Sequence, residues 1–552
     1  MKKLELFIFS IISSKSKKTL VLLITLLAFA GSIMMFPSKL VLAKMLPGKS
    51  DNTFSLYVDA PVGSSYIQTK EISTCIINIL KKEDSVTDMQ IFSGMGSPLD
   101  YAGLVKGSGM KMGEHVAEIV VNLTDKHTRD ESSFNMVHRL RPIIQSSCEN
   151  LREGTSIKMI EQPSGPPTLA SVVVELYGDN PIELRELAVR IKSLLVATEG
   201  LVDVDIMQDE IFKKFELTIN KDKLIRSGLS IEQANQILYL SFEGMEIAVK
   251  NSEDTLEQIP LFLVLSDKSK NLSSFSKHAL QKKLSSLKLM NQKGMMIPLN
   301  EIVTVNEVDS NPTIMTKNLK KMINITAETD LVSQVYPLLE ARSDIEESLS
   351  KDYKVESSHL FDFRLTNKKT GEIFDLVWDG EMKVTMDTFR DLGAAFIAAL
   401  MLIFLLMVIY YRSFAISGII LLGSFLSIIG VIVGHWIMNI FTADTFFLTA
   451  TSLIGFIALM GISSRNSLLL IDFAKSLIKD KGMKKREAIA IATATRAKPI
   501  FLTAAAIILA STLLASDPIF GGLGVALIFG TVVAVIVSLV FVPVLMDNTK
   551  AI

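Results

Sequence analysis

The chain has 552 residues, of which 49% are hydrophobic and 21% are charged, and its formal net charge at pH 7 is −1. This balance excludes a disordered chain, a fibrous repeat and an ordinary soluble enzyme of this size. It also gives no sign of a nucleic-acid partner. The apolar residues are concentrated in one segment near the start and in a dense group after residue 390. The composition therefore predicts a membrane protein.

The first apolar segment, Thr19–Phe36, has the length of a membrane-spanning helix and follows five lysines. A basic start before an apolar run also fits a secretory signal peptide. The run is long for a signal core, and only a weak cleavage-like site follows it, so we predict a retained helix. Five more spans are expected: Leu392–Tyr411, Phe414–Met438, Phe446–Phe473, Ile500–Ala515 and Leu523–Met546.

The basic residues predict the orientation of these helices. With a cytoplasmic N-terminus, Arg412 and the segment Lys475–Lys498 lie in the cytoplasm, where the segment is expected to form an interfacial amphipathic helix. The opposite short loops, His435–Thr445 and Ser516–Gly522, contain no Lys or Arg. This is the positive-inside pattern, so both termini are predicted to be cytoplasmic and Pro37–Phe389 to be one outer block.

The outer block is predicted to contain two repeats of a βαββαβ unit, which is the ferredoxin-like order. The first repeat consists of Phe54–Val58, Ser64–Lys82, Thr87–Ser93, Val116–Leu123, Ser133–Leu151 and Thr155–Ile160. The second consists of Val172–Tyr177, Pro181–Ala197 and Val202–Met207, then Asn318–Ala327, Val332–Leu349 and Tyr353–Glu356. An insertion near Phe212–Val305 separates its halves and contains a helix at Ser230–Leu240 and a strand at Leu261–Leu265.

This order of elements, together with several local motifs, resembles one half of a resistance-nodulation-division (RND) efflux permease. The motifs are Gly461–Phe473 (GISSRNSLLLIDF), Arg496–Thr503 (RAKPIFLT), Trp378–Gly380 before Phe389–Phe396, and Gly165–Pro167 before Val172–Gly178. The resemblance covers essentially the whole chain. Family permeases carry two such halves in one chain, and this sequence matches the C-terminal half.

The resemblance implies a polytopic α-helical membrane protein with six transmembrane helices and a large α+β periplasmic region. That region would hold two ferredoxin-like porter repeats and an inserted docking-like subdomain. Residues 1–37 would form the cytoplasmic N-terminus and the first helix, and residues 376–552 an amphipathic linker and helices two to six. Between them, the first porter subdomain would be residues 38–165 and the second residues 166–211 with 307–375. The insertion would be residues 212–306.

A charged group in the middle of a membrane helix marks a functional site by default. Arg465 is the clearest case, and the family comparison implies a proton relay in which it takes part with Asn466, Arg496 and Thr503. An arginine does not release its proton, so its expected role is to hold a carboxylate partner. The alternatives are snorkelling for Arg465, a positive-inside anchor for Arg496 and helix packing for Thr503.

The six predicted helices contain no carboxylate at depth. Asp444 and Asp391 lie at the outer edge, and Asp472 lies near the cytoplasmic end. In the family, an aspartate pair belongs to the N-terminal half. We therefore expect a second chain, an N-terminal-half RND permease, to supply the aspartates. The resemblance further implies a periplasmic adaptor protein, an outer-membrane channel, a trimeric assembly and contact with membrane lipid.

The outer loop offers weaker candidates for a substrate path. Phe92, Met95, Leu99 and Tyr101 lie in a glycine-containing segment after a strand, similar in position to the family's switch segment and drug pocket. A packed loop is the alternative. The methionine pairs Met110/Met112 and Met295/Met296 would suit Cu(I) or Ag(I), but no metal site is predicted.

Two cysteines are too few for a disulfide framework, and no CxxC or Cys/His cluster indicates zinc. Cys75 and Cys148 fall on the two helices of the first repeat; a bridge is open, and two free buried thiols are preferred.

No ATP-binding loop, catalytic triad or zinc-protease motif is found, so we expect a secondary transporter component without a cofactor rather than an enzyme. The favoured function is the C-terminal half of a proton-driven exporter of small molecules. A protein-export accessory of the SecD/SecF type and a periplasmic binding half that does not transport are the alternatives.

Overall fold

The computed structural model of the protein describes residues 2–550, except residues 49, 99–100, 163–164, 254, 256–257, 267–268, 270–275, 360 and 443. The chain divides into two compact units. One is Gln208–Ile314, and the other combines Met1–Met207 with Met315–Ile552.

The N-terminal segment forms two consecutive helices, α1 (Lys2–Ser13) and α2 (Lys15–Met34). Ser14 lies between them and caps α2 by accepting a hydrogen bond from the Lys17 amide. Ile8 and Ile12 of α1 are buried, whereas most of α2 is exposed. The helix begins at Lys15, four residues before the predicted start of the first span at Thr19, because the preceding lysines continue the helix.

The first sheet is built from β1 (Thr53–Asp59), α3 (Tyr66–Leu80), β2 (Val86–Met95), α4 (Tyr101–Lys106), β3 (Met112–Leu123), α5 (Ser133–Cys148) and β4 (Ser156–Glu161). Its strand order is β2-β3-β1-β4, and every neighbouring pair is antiparallel. α3 and α5 pack on one face, where Phe54, Ile76 and Leu140 belong to a shared apolar core.

Cys75 on α3 and Cys148 at the end of α5 form a disulfide. The preference for two free thiols was therefore wrong. The two helices pack side by side on the sheet and bring the cysteine Cα atoms to 5.8 Å, which is a normal bridging distance. This proximity depends on tertiary packing, since the two residues are 73 positions apart.

The next elements in the chain are β5 (Val172–Tyr177), α6 (Pro181–Ala197) and β6 (Leu201–Met207). Pro181 starts α6, and the Asn180 side chain accepts hydrogen bonds from the Ile182 and Glu183 amides.

The unit Gln208–Ile314 contains β7 (Lys213–Ile219), α7 (Lys221–Arg226), α8 (Ile231–Phe242), β8 (Met245–Lys250), β9 (Ile259–Leu263), α9 (Lys277–Ser286), β10 (Lys288–Met290), β11 (Met296–Pro298), α10 (Leu299–Ile302) and β12 (Val303–Asp309). Its strands pair as β7–β12, β8–β9 and β10–β11. Leu224, Leu284 and Leu299 lie in its own apolar core.

The chain then completes a seven-stranded sheet with β13 (Met315–Lys317), β14 (Lys320–Thr329), α11 (Val335–Leu349), β15 (Tyr353–Ser357), β16 (Phe363–Asn367) and β17 (Ile373–Asp379). The order is β13-β14-β5-β17-β16-β15, and β6 also pairs with β14. Three strands of this sheet, β13, β16 and β17, were not predicted. β17 runs across the expected boundary at residues 375 and 376, and its Trp378 is buried in the sheet core rather than in a linker.

Gly380 makes the junction between this sheet and the following helix. Its φ is +90°, and a Cβ atom would lie 2.7 Å from the Ala170 carbonyl oxygen. Only glycine fits this position without strain.

The C-terminal part is helical: α12 (Glu381–Tyr411), α13 (Phe414–Phe425), α14 (Ile428–Phe441), α15 (Ala450–Lys481), α16 (Lys485–Ala515), α17 (Gly521–Ile536), a π-helical turn (Val537–Phe541) and α18 (Val542–Asn548). Among the described residues, six helical segments are long and apolar enough to cross a membrane: α2, α12, α13 with α14, α15, α16, and α17 through α18.

The predicted interfacial helix at Lys475–Lys498 is not a separate element. Its first residues extend α15 and its last residues begin α16, with a break only at Gly482–Lys484. Pro499 lies inside α16 without ending it, so this helix starts 15 residues before the predicted Ile500.

Candidate functional site

Arg465 lies near the middle of α15, about 22 Å along the axis from Ala450 at 1.5 Å per residue. Its side chain is on the exposed face of the helix. No ion pair or hydrogen bond to it is found among the described residues. A guanidinium at mid-membrane depth costs about 2.5–3.5 kcal/mol on insertion scales. Within the described residues, this charge is therefore uncompensated and lies on an outward surface of the helical bundle.

The residues flanking Arg465 on α15 face the other way. Asn466 is 4% exposed, and Ser463 and Ser467 are fully buried. Neither serine hydroxyl has a hydrogen-bond partner among the described residues. The centre of α15 is thus polar on both sides, with hydroxyls and an amide inward and the guanidinium outward.

Arg496 and Thr503, the other two predicted relay residues, lie on α16; Arg496 contacts α15, and Thr503 bonds within its own helix. The Arg496 guanidinium lies 4.9 Å from the centre of the Phe473 ring, and its Nε is buried without a hydrogen-bond partner in the described chain. The Thr503 hydroxyl donates to its own helix, at the Pro499 carbonyl oxygen. In the described part of the chain, no hydrogen bond or ion pair joins any two of the four predicted relay side chains.

The three carboxylates at the ends of the helices are engaged elsewhere. The Tyr411 hydroxyl donates to Asp472 at 2.6 Å. The Asn135 side chain donates to Asp444 at 2.7 Å, and the neighbouring Arg390 pairs with Asp391 at 3.0 Å. None of the three is paired with Arg465 in the described residues.

A buried histidine was not singled out from the sequence, where His435 fell both at the end of the predicted span Phe414–Met438 and at the start of the loop His435–Thr445. His435 is in α14, 0% exposed, with Nδ1 2.7 Å from the Val431 carbonyl oxygen and Nε2 2.8 Å from Ser452 Oγ. The sequence signal that could have identified it is an ionisable residue within an apolar run. The helix α14 continues for six residues beyond His435.

The predicted substrate-path residues lie at one edge of the first sheet. Phe92 is half-buried on β2, whereas Met95 and Tyr101 are about half exposed. The Tyr101 hydroxyl donates to the Gly165 carbonyl oxygen at 3.4 Å. Leu99 lies outside the described residues. The loop is anchored by Ser97, whose amide and hydroxyl both donate to the buried Glu118 carboxylate.

The methionine pairs show no common site. Met112 is exposed on β3, and the side chain of Met110 lies outside the described side chains. Met295 and Met296 are exposed within Gln208–Ile314. The described residues contain no group of three or more His, Cys, Asp or Glu side chains suited to a metal ion.

A charged cavity of about 100 Å³ lies where the first sheet meets β14 and the start of α12. Its charged lining residues come from six distant parts of the chain: Lys44, Lys106, Arg141, Glu161, Glu328 and Glu381. Lys106 forms an ion pair with Glu328, and Arg141 Nη1 contacts Asp330 at 2.9 Å. No sequence motif marks this cluster.

Burial controls the acids of this charged cavity. Burial raises the pKa of Glu161 to about 7, although Arg141 and Lys44 oppose the shift. The adjacent Asp203 has a pKa raised to about 6 by burial, against the attraction of Arg141. Burial also acts to raise the pKa of Glu328, but the Lys106 ammonium and the bonds from Ser171 hold it below the ordinary value. The cavity therefore combines a fixed ion pair with carboxyls that titrate near neutral pH.

Membrane-length helices joined to a large sheet-rich region in this topology define the RND permease fold. The chain matches the model of the AcrB/AcrD/AcrF family over residues 10–547, and it belongs to that family. The family consists of efflux transporters rather than enzymes.

Three relatives illustrate the range of the family. The swarming motility protein SwrC of Bacillus subtilis is 23% identical over 96% of this chain and 46% of its own length. The multidrug export protein AcrF of Escherichia coli is 21% identical, over 95% of this chain and 47% of its own length. The cobalt-zinc-cadmium resistance protein CzcA of Cupriavidus metallidurans is 22% identical over 61% of this chain and 29% of its own length.

Among solved structures, a crystal structure of a heavy metal efflux pump superposes with a TM-score of 0.72 at 17% identity, covering 96% of this chain and 51% of the pump. This likeness shows the fold. The chain spans about half the length, or less, of the curated relatives it matches.

Proposed function

We propose that this chain is the C-terminal half of a proton-driven RND-type efflux transporter that exports small molecules from the periplasm or the inner membrane. A second, N-terminal-half chain supplies the membrane aspartates. The observation that carries the proposal is Arg465, a cation at the centre of a membrane-length helix, exposed and without an acidic partner among the described residues. A carboxylate pair on a facing helix would compensate this charge.

Within that assembly, Arg465 holds the partner's carboxylates and biases their protonation. Asn466, Arg496 and Thr503 complete the relay on α15 and α16. The carboxylates of this chain cannot take the aspartates' place, because Asp391, Asp444 and Asp472 are bonded to other residues. Proton passage would then move α15 and α16 and, through them, the outer region.

The proposed arrangement has six transmembrane helices, cytoplasmic termini and a periplasmic outer region in the bacterial inner membrane. The outer region comprises two ferredoxin-like porter subdomains, 38–165 and 166–211 with 307–375, and a docking-like insertion at 212–306. RND pumps generally form trimers and work with a periplasmic adaptor and an outer-membrane channel, and we propose the same partners here.

Substrate would pass the edge of the first sheet that carries Phe92, Met95 and Tyr101, with Leu99, which lies outside the described residues, as the fourth proposed contact. The apolar and aromatic side chains described there suit a hydrophobic small molecule. The names of the relatives cover both multidrug export and cation efflux, so both substrate classes enter the test.

The test is export by cells that lack the native gene and carry the wild-type chain, Arg465→Ala or Lys479→Ala, each with its native partner genes. Lys479 is a matched control, since it is an exposed cation at the end of the same helix. Cellular accumulation of ethidium and of zinc is measured. Arg465→Ala should raise accumulation of the exported probe to the level of the gene-free cells, and Lys479→Ala should not. Export by Arg465→Ala equal to wild type, at equal protein level, would contradict the proposal.

A further inference from the structure

An open groove of about 450 Å³ lies between α1 and α16, and the proposed relay does not use it. Leu4 lines the groove from α1, and Ala497 and Ala505 are among the residues that line it from α16. The small alanine side chains leave the space between the two helices open. The volume lies within the range of small-molecule sites, about 300–1,000 Å³. The groove is therefore large enough for part of a lipid molecule.

The groove is apolar along its length and cationic at one end. Phe501 and Leu502 line it and are 56% and 64% exposed, although both are large apolar side chains. Lys498 also lines it, one turn before Leu502. Ala505 lies seven residues after Lys498, about 10 Å further along the helix axis. An ammonium followed by about 10 Å of apolar surface matches the order of headgroup and acyl chain in a phospholipid.

Charge places the cationic end of the groove at the cytoplasmic surface of the membrane. Lys498 is the last charged residue of α16, and the rest of that helix is free of charge. α1 reaches the groove through Leu4 and carries Lys2, Lys3 and Glu5 in its first turn, which leaves that turn with a net positive charge. Cations at the end of a membrane helix and on an interfacial helix lie at the level of the lipid headgroups.

The cation of the groove is free, whereas nearby cations are paired within the chain. Lys18 and Arg486 both pair with Asp547, at 2.8 Å and 3.1 Å. In the described part of the chain, no ion pair or hydrogen bond reaches the Lys498 ammonium. The last acid of α16 is Glu487, about 16 Å from Lys498 along the axis. An anion at the open end of the groove would compensate this charge.

The groove and the proposed relay lie on opposite faces of α16. At 3.6 residues per turn, Lys498 lies about 200° around the helix from Arg496, and Ala505 lies about 200° from Thr503. A partner chain that meets the relay face of α16 therefore leaves the groove open to the membrane.

We propose that this groove binds one anionic phospholipid of the cytoplasmic leaflet. The phosphate lies at the Lys498 ammonium, and the first turn of α1 adds positive charge. An acyl chain lies along Phe501 and Leu502. A lipid in this position gains both charge attraction and burial of apolar surface, whereas a free anion gains only the first. The bound lipid fills the space between α1 and α16 and holds the two helices together.

The test is native mass spectrometry of the purified full chain with dioleoylphosphatidylglycerol or dioleoylphosphatidylcholine at equal concentration. The two lipids have the same acyl chains and differ in headgroup charge. The wild type should retain the anionic lipid in preference to the zwitterionic one. Lys498→Gln should weaken binding of the anionic lipid about fivefold, as expected for the loss of one lysine near a lipid headgroup.

Lys479→Gln is the matched control, because it removes an exposed cation from the end of α15, and it should bind as the wild type does. Equal retention of the two lipids by the wild type would overturn the proposal. So would equal binding of the anionic lipid by Lys498→Gln and Lys479→Gln.

The apolar part of the site is tested by Ala505→Leu, which fills the groove and should also weaken binding. Ala510→Leu is its control, at an exposed alanine of the same helix that does not line the groove. If Ala505→Leu binds the anionic lipid as the wild type does, the lysine attracts an anion without the groove, and the lipid site is wrong.

The occupant in the native membrane is identified with Leu502→p-benzoylphenylalanine, which places a photoreactive group in the groove of an otherwise wild-type chain. Illumination should give an adduct with the mass of an anionic phospholipid. A crosslink to a second copy or to another protein would overturn the proposal. The inference rests on the proposed orientation of the chain. Lipid binding is measured without transport, and export by Arg465→Ala is measured with the groove intact, so each proposal can fail alone.

Discussion

The Tyr411 hydroxyl donates a 2.6 Å hydrogen bond to Asp472 Oδ1, which joins the C-terminal end of α12 to α15. The Lys475 ammonium lies over the same tyrosine ring, 5.2 Å from its centre. Asp472 is the acid of this helix closest in sequence to Arg465, about two turns away. Because the Tyr411 hydroxyl engages it, Asp472 acts as a structural link, and in the proposed function Arg465 is left for a partner.

Asp472→Asn should therefore weaken the structure more than the function. The loss of a hydrogen bond to a charged group should lower the free energy of unfolding by about 1–3 kcal/mol. Thermal unfolding of the purified chain measures this loss, and Tyr411→Phe should reproduce it. Export by Asp472→Asn should stay near wild type. A folded Asp472→Asn protein that exports no better than Arg465→Ala would show that Asp472 belongs to the relay.

Gly522→Ala should destabilise the contact between α17 and the start of α15. The added methyl group would press on Ser452 and Thr449, whose hydroxyls cap α15 and contact each other. We expect a loss of about 1–3 kcal/mol, as for other overpacked sites.

Gly461→Ala is the matched control, since no atom lies within 4 Å of its Cβ position. Alanine is the better helix former by about 1 kcal/mol, so this change should raise the midpoint of thermal unfolding or leave it unchanged. Equal losses in the two variants would mean that the close packing at Gly522 is not the cause.

Removal of the Cys75–Cys148 bridge should destabilise the first sheet and its two helices. The double variant Cys75→Ala/Cys148→Ala should lose about 2–5 kcal/mol of unfolding free energy, because the bridge closes a long loop. Dithiothreitol should lower the unfolding midpoint of the wild type and not that of the double variant. Two thiols that react with maleimide in the denatured, non-reduced wild type would contradict the bridge.

The charged cavity should make the stability of the outer region depend on pH. Burial raises the pKa of Glu161 from its ordinary value of 4.5 to about 7 on folding, so the folded state binds the proton more tightly than the unfolded state. Its contribution is present below pH 4.5 and is lost as the pH rises through about 7.

Glu161→Gln should accordingly have the same free energy of unfolding as the wild type near pH 4.5. At about pH 8 its free energy of unfolding should exceed that of the wild type by about 1–3 kcal/mol, and its unfolding temperature should be higher. The control is Glu153→Gln, at an exposed carboxylate of the same region. A stability difference for Glu161→Gln that does not change with pH would contradict a buried, titrating Glu161.

Much of the fold could be predicted from residue pattern. Runs of apolar residues located the membrane-length helices, and alternation located β1 to β6. The ends were less accurate, since α15 continues past Phe473 to Lys481. Polar residues do not stop a helix that is leaving the membrane. β16 and β17 were missed although each has an alternating buried apolar face, as in Phe374, Leu376 and Trp378, because Trp378–Gly380 was taken as the lead into the second membrane helix.

The candidate site was less accessible to prediction. Arg465 could be found as a charge in an apolar run, but the face on which it lies depends on how α15 packs. His435 was counted both in the predicted span Phe414–Met438 and in the following loop, whereas the helix α14 continues past it to Phe441. The charged cavity joins residues as distant as Lys44 and Glu381, and only the folded chain brings them together.

The most direct test of the account is purification of the tagged chain from its native membrane in mild detergent, for the wild type and for Arg465→Ala, with every co-purifying protein identified. The account predicts that the wild type recovers a second multi-helix chain that carries an aspartate pair within a membrane helix. Arg465→Ala should recover less of that chain, at equal yield of the tagged protein. A wild-type chain that purifies alone, as a monomer or homo-oligomer, would leave Arg465 without an acidic partner and would contradict the proposed half-transporter.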